Sequence, residues 1–74
     1  MYNSMREYIQ NEVYTLRSKR GVTQEQLAEK MGVSRQTIIA IEKGNYTPSV
    51  LLALKFADFF GQPVEKVFKI SYGK

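Results

Sequence analysis

Residues 23–44 read TQEQLAEKMGVSRQTIIAIEKG, and the order of capping, small and branched residues in that string decides the fold. Thr23 and Gln26 form the T-x-x-Q pattern of a capping box, while Val22 and Leu27 hold the N′ and N4 positions of a hydrophobic staple. A helix is therefore expected from Gln24, with Leu27, Ala28 and Met31 turned inward. It should stop at Gly32, where a left-handed backbone bends the chain sharply. Ser34 is the next N-cap, so a second helix is expected from Arg35 to Lys43, with Ile38 and Ile41 buried and Gly44 ending it. The spacing has a mechanical reason. A small residue such as Ala28 lets two steeply crossed helices approach, and Ile38 and Ile41 then lock the second onto the first. The outer face of the second helix, carrying Arg35, Gln36, Ile39, Ala40 and Lys43, is left open for a partner.

Working outward, Val13 and Leu16 lie three apart on one face of a helix expected over Glu12 to Lys19, with Asn11 as its N-cap and Gly21 just past its end. Beyond Gly44, Asn45, Tyr46, Thr47 and Pro48 form a loop. Ser49 caps a fourth helix, Val50 to Phe60, whose only charges are Lys55 and Asp58. Pro63 suits the first turn of a short fifth helix running through Phe68. The tail Phe68-Lys69-Ile70-Ser71-Tyr72 alternates apolar and polar residues, the pattern of a strand with one buried face. Residues 1–10 read as a short extended arm. The expected organisation is thus an arm (1–10), one domain (11–68) and a tail (69–74). The fold class is all-α, a five-helix bundle. A further idea pairs residues near Arg6 to Gln10 with Phe68 to Tyr72 in a small antiparallel sheet, which would need packing against the bundle or a partner subunit.

Bulk composition narrows the function. With 74 residues there is room for one core. The chain has neither Cys nor His, so disulfides and the usual zinc ligands are excluded and neither metal nor cofactor is expected. With no His or Cys and no carboxylate pair in a polar cleft-like setting, an enzyme is not expected. Eleven Lys and Arg against seven Asp and Glu give a formal charge of +4, which favours a polyanionic partner. No apolar run is long enough for a membrane span and no signal-peptide order appears, so a cytoplasmic protein is expected.

The 23–44 string, followed by the N-x-x-PS-x-x-x-A-x-K-x-A segment from Asn45 to Ala57, resembles the Xre-like family of helix-turn-helix proteins, which includes the Cro and repressor proteins of lambdoid phages. The resemblance covers roughly Asn11 to Phe68. It implies double-stranded DNA as partner, with helix 35–43 in the major groove. Arg35 and Gln36 would read base edges, since Arg pairs bidentately with guanine and Gln with adenine. Thr37 and Ala40 would face the groove next, Ala40 offering only apolar contact, where many relatives carry a longer polar residue. Gln24, Ser34, Thr37, Lys43, Asn45 and Tyr46 would hold the phosphate backbone. Arg17 and Glu42 match the family's structural ion pair. Ile39 departs from the polar residues the family tolerates and is read as covering the helix.

Members of this class usually bind two half-sites about one helical turn apart, which implies a homodimer. Helix four supplies a surface: with Val50, Ala53, Leu54, Ala57 and Phe60 facing inward, Leu51, Leu52, Phe56 and Phe59 remain as an apolar excess. Together with Ile70 and Tyr72 these form the expected dimer interface. The expected function is a transcriptional regulator that represses by occluding a promoter. The alternative is an antitoxin or protein-interaction module that uses the apolar face of helix 50–60.

Overall fold

The computed structural model describes residues 6–73; the first five residues of the expected arm (1–10) and the last residue of the expected tail (69–74) lie outside them. The order is β1 (Arg6–Asn11), α1 (Val13–Arg20), α2 (Gln24–Met31), α3 (Arg35–Glu42), α4 (Val50–Phe60), α5 (Val64–Val67) and β2 (Phe68–Gly73). Among the described residues the five expected helices are present, and the small antiparallel sheet expected between the arm and the tail is formed by β1 and β2. The ribbon pairs Tyr8 with Ser71, Ile9 with Ile70 and Asn11 with Phe68.

The caps explain most of the helix boundaries. Thr23 accepts from the backbone N–H of Gln26 while the Gln26 side chain accepts from that of Thr23, the reciprocal box expected at α2. Ser34 and Ser49 accept from Thr37 and Leu52 in the same way. Helix α1 starts one residue later than expected. Glu12 takes the cap position with no side-chain bond, and Asn11 instead accepts from the N–H of Val13 at 3.0 Å. Helix α5 ends at Val67, because Phe68 has already turned to extended backbone and opens β2.

Each of α1 to α4 ends with the same pair of backbone bonds around a glycine, the Schellman arrangement that satisfies otherwise orphaned carbonyls. At Gly32 this matters most. Its φ of 74° is the left-handed turn that swings α3 across α2, and only Val33 and Ser34 follow before the next helix begins.

The core gathers Val13, Leu27, Ile38, Ile41, Phe56 and Val67, all fully buried, with Ala28, Met31, Leu52, Ala57 and Phe60 around them. Phe56 stacks against Phe60 and meets Phe68 edge-on, with ring centroids 5.7 Å apart in the second pair. Burial of each large side chain contributes about 1.5–3 kcal/mol.

Two expectations about faces are corrected here. Helix α4 is rotated from its expected orientation. Leu52 and Phe56, expected at a dimer surface, lie in the core, whereas Val50 and Leu54, expected inside, are 76% and 52% exposed. The physical reason is that an almost wholly apolar helix has little polar stripe to set its angle, so α1, α2 and α5 set it by contact. The second correction concerns β2, whose apolar face is not buried: Ile70 and Tyr72 are 61% and 57% exposed.

Candidate nucleic-acid interface

The open face of α3 is held from behind. Ile38 and Ile41 are fully buried beneath it, and Arg35 and Gln36 stand exposed in its first turn. Gln36, Ala40 and Lys43 follow one another at i, i+4 and i+7, so helical geometry places them on one stripe. Ala40 and Ile39 are half-buried, and Lys43, Asn45 and Tyr46 are exposed past the last turn.

Ser34 serves twice at the start of α3. Its hydroxyl accepts from the Thr37 N–H at 3.2 Å and shares a hydrogen bond with the Thr37 hydroxyl at 3.1 Å. Both hydroxyls are thereby oriented. Between the starts of α2 and α3 lies an open concavity of about 500 Å³, lined by Arg17, Thr23, Gln24, Glu25 and Arg35.

Glu42, at the far end of α3, is the hub that ties this face to the bundle. Arg17 donates to it through Nε at 2.6 Å and Nη2 at 3.2 Å, and places Nη1 on the carbonyl of Val22 at 2.9 Å. The two side chains are only 12% and 7% exposed. The hydrogen bond to Glu42 holds the Arg17 guanidinium above its ordinary pKa, against the opposing effect of burial. The expected residue pair is therefore joined in space, as a partly buried bidentate contact. Gln24 joins it: its side-chain amide donates to Glu42 at 3.0 Å. That bond fixes the orientation of Gln24 and leaves its second amide hydrogen for another acceptor.

Two contacts escape sequence reasoning. The Lys55 ammonium donates to the carbonyl of Met31 at 2.8 Å and so clamps the end of α2 from α4. The Asn11 amide donates to the carbonyl of Ile41 at 2.9 Å, linking β1 to the end of the outward-facing helix. Neither has a local signature, because the partners are distant in sequence and are backbone carbonyls. Of the expected dimer residues, Leu51, Ile70 and Tyr72 are exposed, while Phe59 is half-buried with the Arg20 guanidinium 5.0 Å above its ring. Among the described residues no group of His, Cys, Asp and Glu is arranged to hold a metal ion, and no helix is long and apolar enough to cross a membrane.

Comparison with known proteins agrees with this geometry. The model of a family described as helix-turn-helix matches residues 13–67. An uncharacterized HTH-type transcriptional regulator of Methanocaldococcus jannaschii is 55% identical over 60 residues, which cover 81% of this chain and 91% of that protein. The transcriptional repressor RstR of the cryptic phage CTXphi in Vibrio cholerae is 33% identical over 57 residues, 77% of this chain and 51% of the repressor. Among solved structures, the restriction-modification controller protein C.AhdI of Aeromonas hydrophila superposes with a TM-score of 0.68 at 27% identity, over 74% of this chain and 83% of that one.

Proposed function

The chain belongs to the Xre-like helix-turn-helix family of transcriptional regulators, and from that membership we propose that it is a homodimeric repressor that lays α3 in the major groove of a palindromic operator. One observation carries this reading. Helix α3 is locked on its inner side by Ile38 and Ile41, and its other side presents Arg35 and Gln36 to solvent with Lys43 beyond them.

In this reading Arg35 and Gln36 take the base edges, by bidentate bonds to guanine and adenine, and Ala40 meets a thymine methyl. Gln24, held by Glu42, turns its free amide hydrogen to a phosphate, and Ser34, Thr37, Lys43, Asn45 and Tyr46 complete the hold on the backbone. The dimer surface comes from apolar residues that the bundle leaves uncovered, Leu51 on α4 and Ile70 and Tyr72 on β2. Repression follows from occupancy: a bound dimer blocks the promoter it covers. The likeness to a phage repressor supports that direction of control.

Selection of bound duplexes from a random pool tests the reading. It should return inverted half-sites with centres ~34 Å apart. Affinity for the selected site should fall with salt at a log–log slope of about −5 to −9, from ~3–5 phosphate contacts per subunit. A single unrepeated half-site would remove the dimer from the account, and a flat salt response would remove the phosphate contacts.

A further inference from the structure

Three elements meet at one side chain. Asn11 is the last residue of β1 and pairs there with Phe68. Its Oδ1 accepts from the Val13 N–H at 3.0 Å, at the start of α1, while its Nδ2 donates to the Ile41 carbonyl at 2.9 Å, at the end of α3. An asparagine carries acceptor and donor on one planar amide, so each bond fixes the direction of the other. The residue is half-buried, which strengthens both bonds against competition from water.

The end of α3 needs such a hold, because a helix leaves its last carbonyls without partners of its own. Here the N–H groups of Lys43, Gly44 and Asn45 turn back onto Ile39, Ile41 and Ala40 at 3.1, 2.9 and 2.8 Å. Ile41 thus carries two donors, the Gly44 N–H and the Asn11 amide. Gly44, with φ 81°, is the left-handed turn from which the loop departs. Lys43, Asn45 and Tyr46 are exposed there, and Tyr46 and Thr47 stand across an open groove of about 370 Å³ from Ile9, Phe68 and Ile70. Among the described residues, Asn11 is the one side chain bonded to a carbonyl of this helix end.

We propose that Asn11 is a positioning residue for the phosphate grip of α3: by fixing the Ile41 carbonyl it sets the direction in which Lys43, Asn45 and Tyr46 leave the helix, and with it their reach to the DNA backbone. The inference rests on the DNA-binding reading above. The other end of α3 is held by different means. Ser34 caps it and Ile38 locks it from beneath, so Arg35 and Gln36 are placed independently of the Ile41 carbonyl. Asn11 therefore serves affinity and leaves sequence choice alone, as contacts to phosphate do.

Asn11→Ser separates the two bonds. The serine hydroxyl can still accept from the Val13 N–H, but it is too short to reach Ile41 and it adds no charge. In the full chain on the selected duplex, Asn11→Ser should weaken binding about 5- to 10-fold at low salt. It should also flatten the log–log salt slope by ~0.9 per subunit, the signature of one lost phosphate contact. Discrimination against single-base variants of the site should stay within ~2-fold of the parent's. Lys43→Ala should act alike, and the double variant should bind more tightly than the two separate losses multiplied together require. A merely structural role would lower the unfolding midpoint and leave the slope unchanged; that result, or discrimination lost along with affinity, overturns the proposal. Amide hydrogen exchange of the DNA-free chain supplies an arm independent of duplex binding. The Gly44 and Asn45 amides should exchange roughly 10-fold faster in Asn11→Ser, with Gln26 and Leu27 at the parent's rate; unchanged exchange at Gly44 and Asn45 also overturns the proposal. A parent that ignores every duplex at low salt sinks the regulator reading itself, an outcome distinct from a parent that binds with a slope Asn11→Ser does not move.

Discussion

The helix-turn-helix unit and the β1–β2 ribbon both carry isoleucines in a periodic apolar pattern, yet the chain covers them to opposite degrees. Ile38 and Ile41 are fully buried between α3 and the rest of the bundle, whereas Ile70 and Tyr72 stand more than half exposed on a ribbon that covers one side of a groove. Apolar patterning thus marks which residues seek burial without saying which molecule supplies the cover. In the bundle the cover is intramolecular and its loss is felt in folding. On the ribbon the cover is missing from the single chain, so its loss should be felt in association.

The sharpest way to break that contrast is at Phe56. It stacks on Phe60 and is fully buried, so Phe56→Ala should cost ~3–5 kcal/mol in denaturant unfolding. A small loss would return Phe56 to a surface role and undo the rotation of α4. Glu42→Ala comes next in consequence. It strands the Arg17 guanidinium in a partly buried site and frees Gln24, and should cost ~3 kcal/mol or more, while replacing Arg17 and Glu42 together by apolar residues should recover much of that loss. Thr23→Ala removes one acceptor of the α2 capping box and should cost ~1 kcal/mol by the same assay. Smallest of all is Ile70→Ala, which should change the stability of the isolated monomer by no more than ~0.5 kcal/mol. A multi-kcal/mol loss there would mean the ribbon is packed within one chain.

Legibility in the sequence follows the same division. Helices α2 and α3 could be placed because Thr23, Gln26, Gly32 and Ser34 are local devices, each acting on backbone groups within a few residues. The Arg17–Glu42 contact was reachable through family resemblance alone, since its partners are 25 residues apart. The buried face of α4 is hard to place from sequence because nearly every position is apolar. A signal was nonetheless present: Lys55 and Asp58, three apart, mark a solvent stripe that also carries Leu51 and Leu54, and the opposite side holds Leu52, Phe56 and Phe60. The alternation in β2 was real, but alternation alone cannot tell a face covered by its own bundle from a face left open. The Asn11 and Lys55 contacts lay beyond reach because their acceptors are backbone carbonyls, which every residue possesses.

The central claim is that α3 reads duplex DNA from its open face, and Gln36 tests it most directly. Binding of the parent chain and Gln36→Ala would be measured against the selected half-site and each single-base variant of it at fixed salt. The account predicts that Gln36→Ala loses ~1–3 kcal/mol of discrimination at one base pair and keeps it at the others. Equal weakening across all sequences would contradict it, leaving Gln36 as a phosphate contact or a solvated residue.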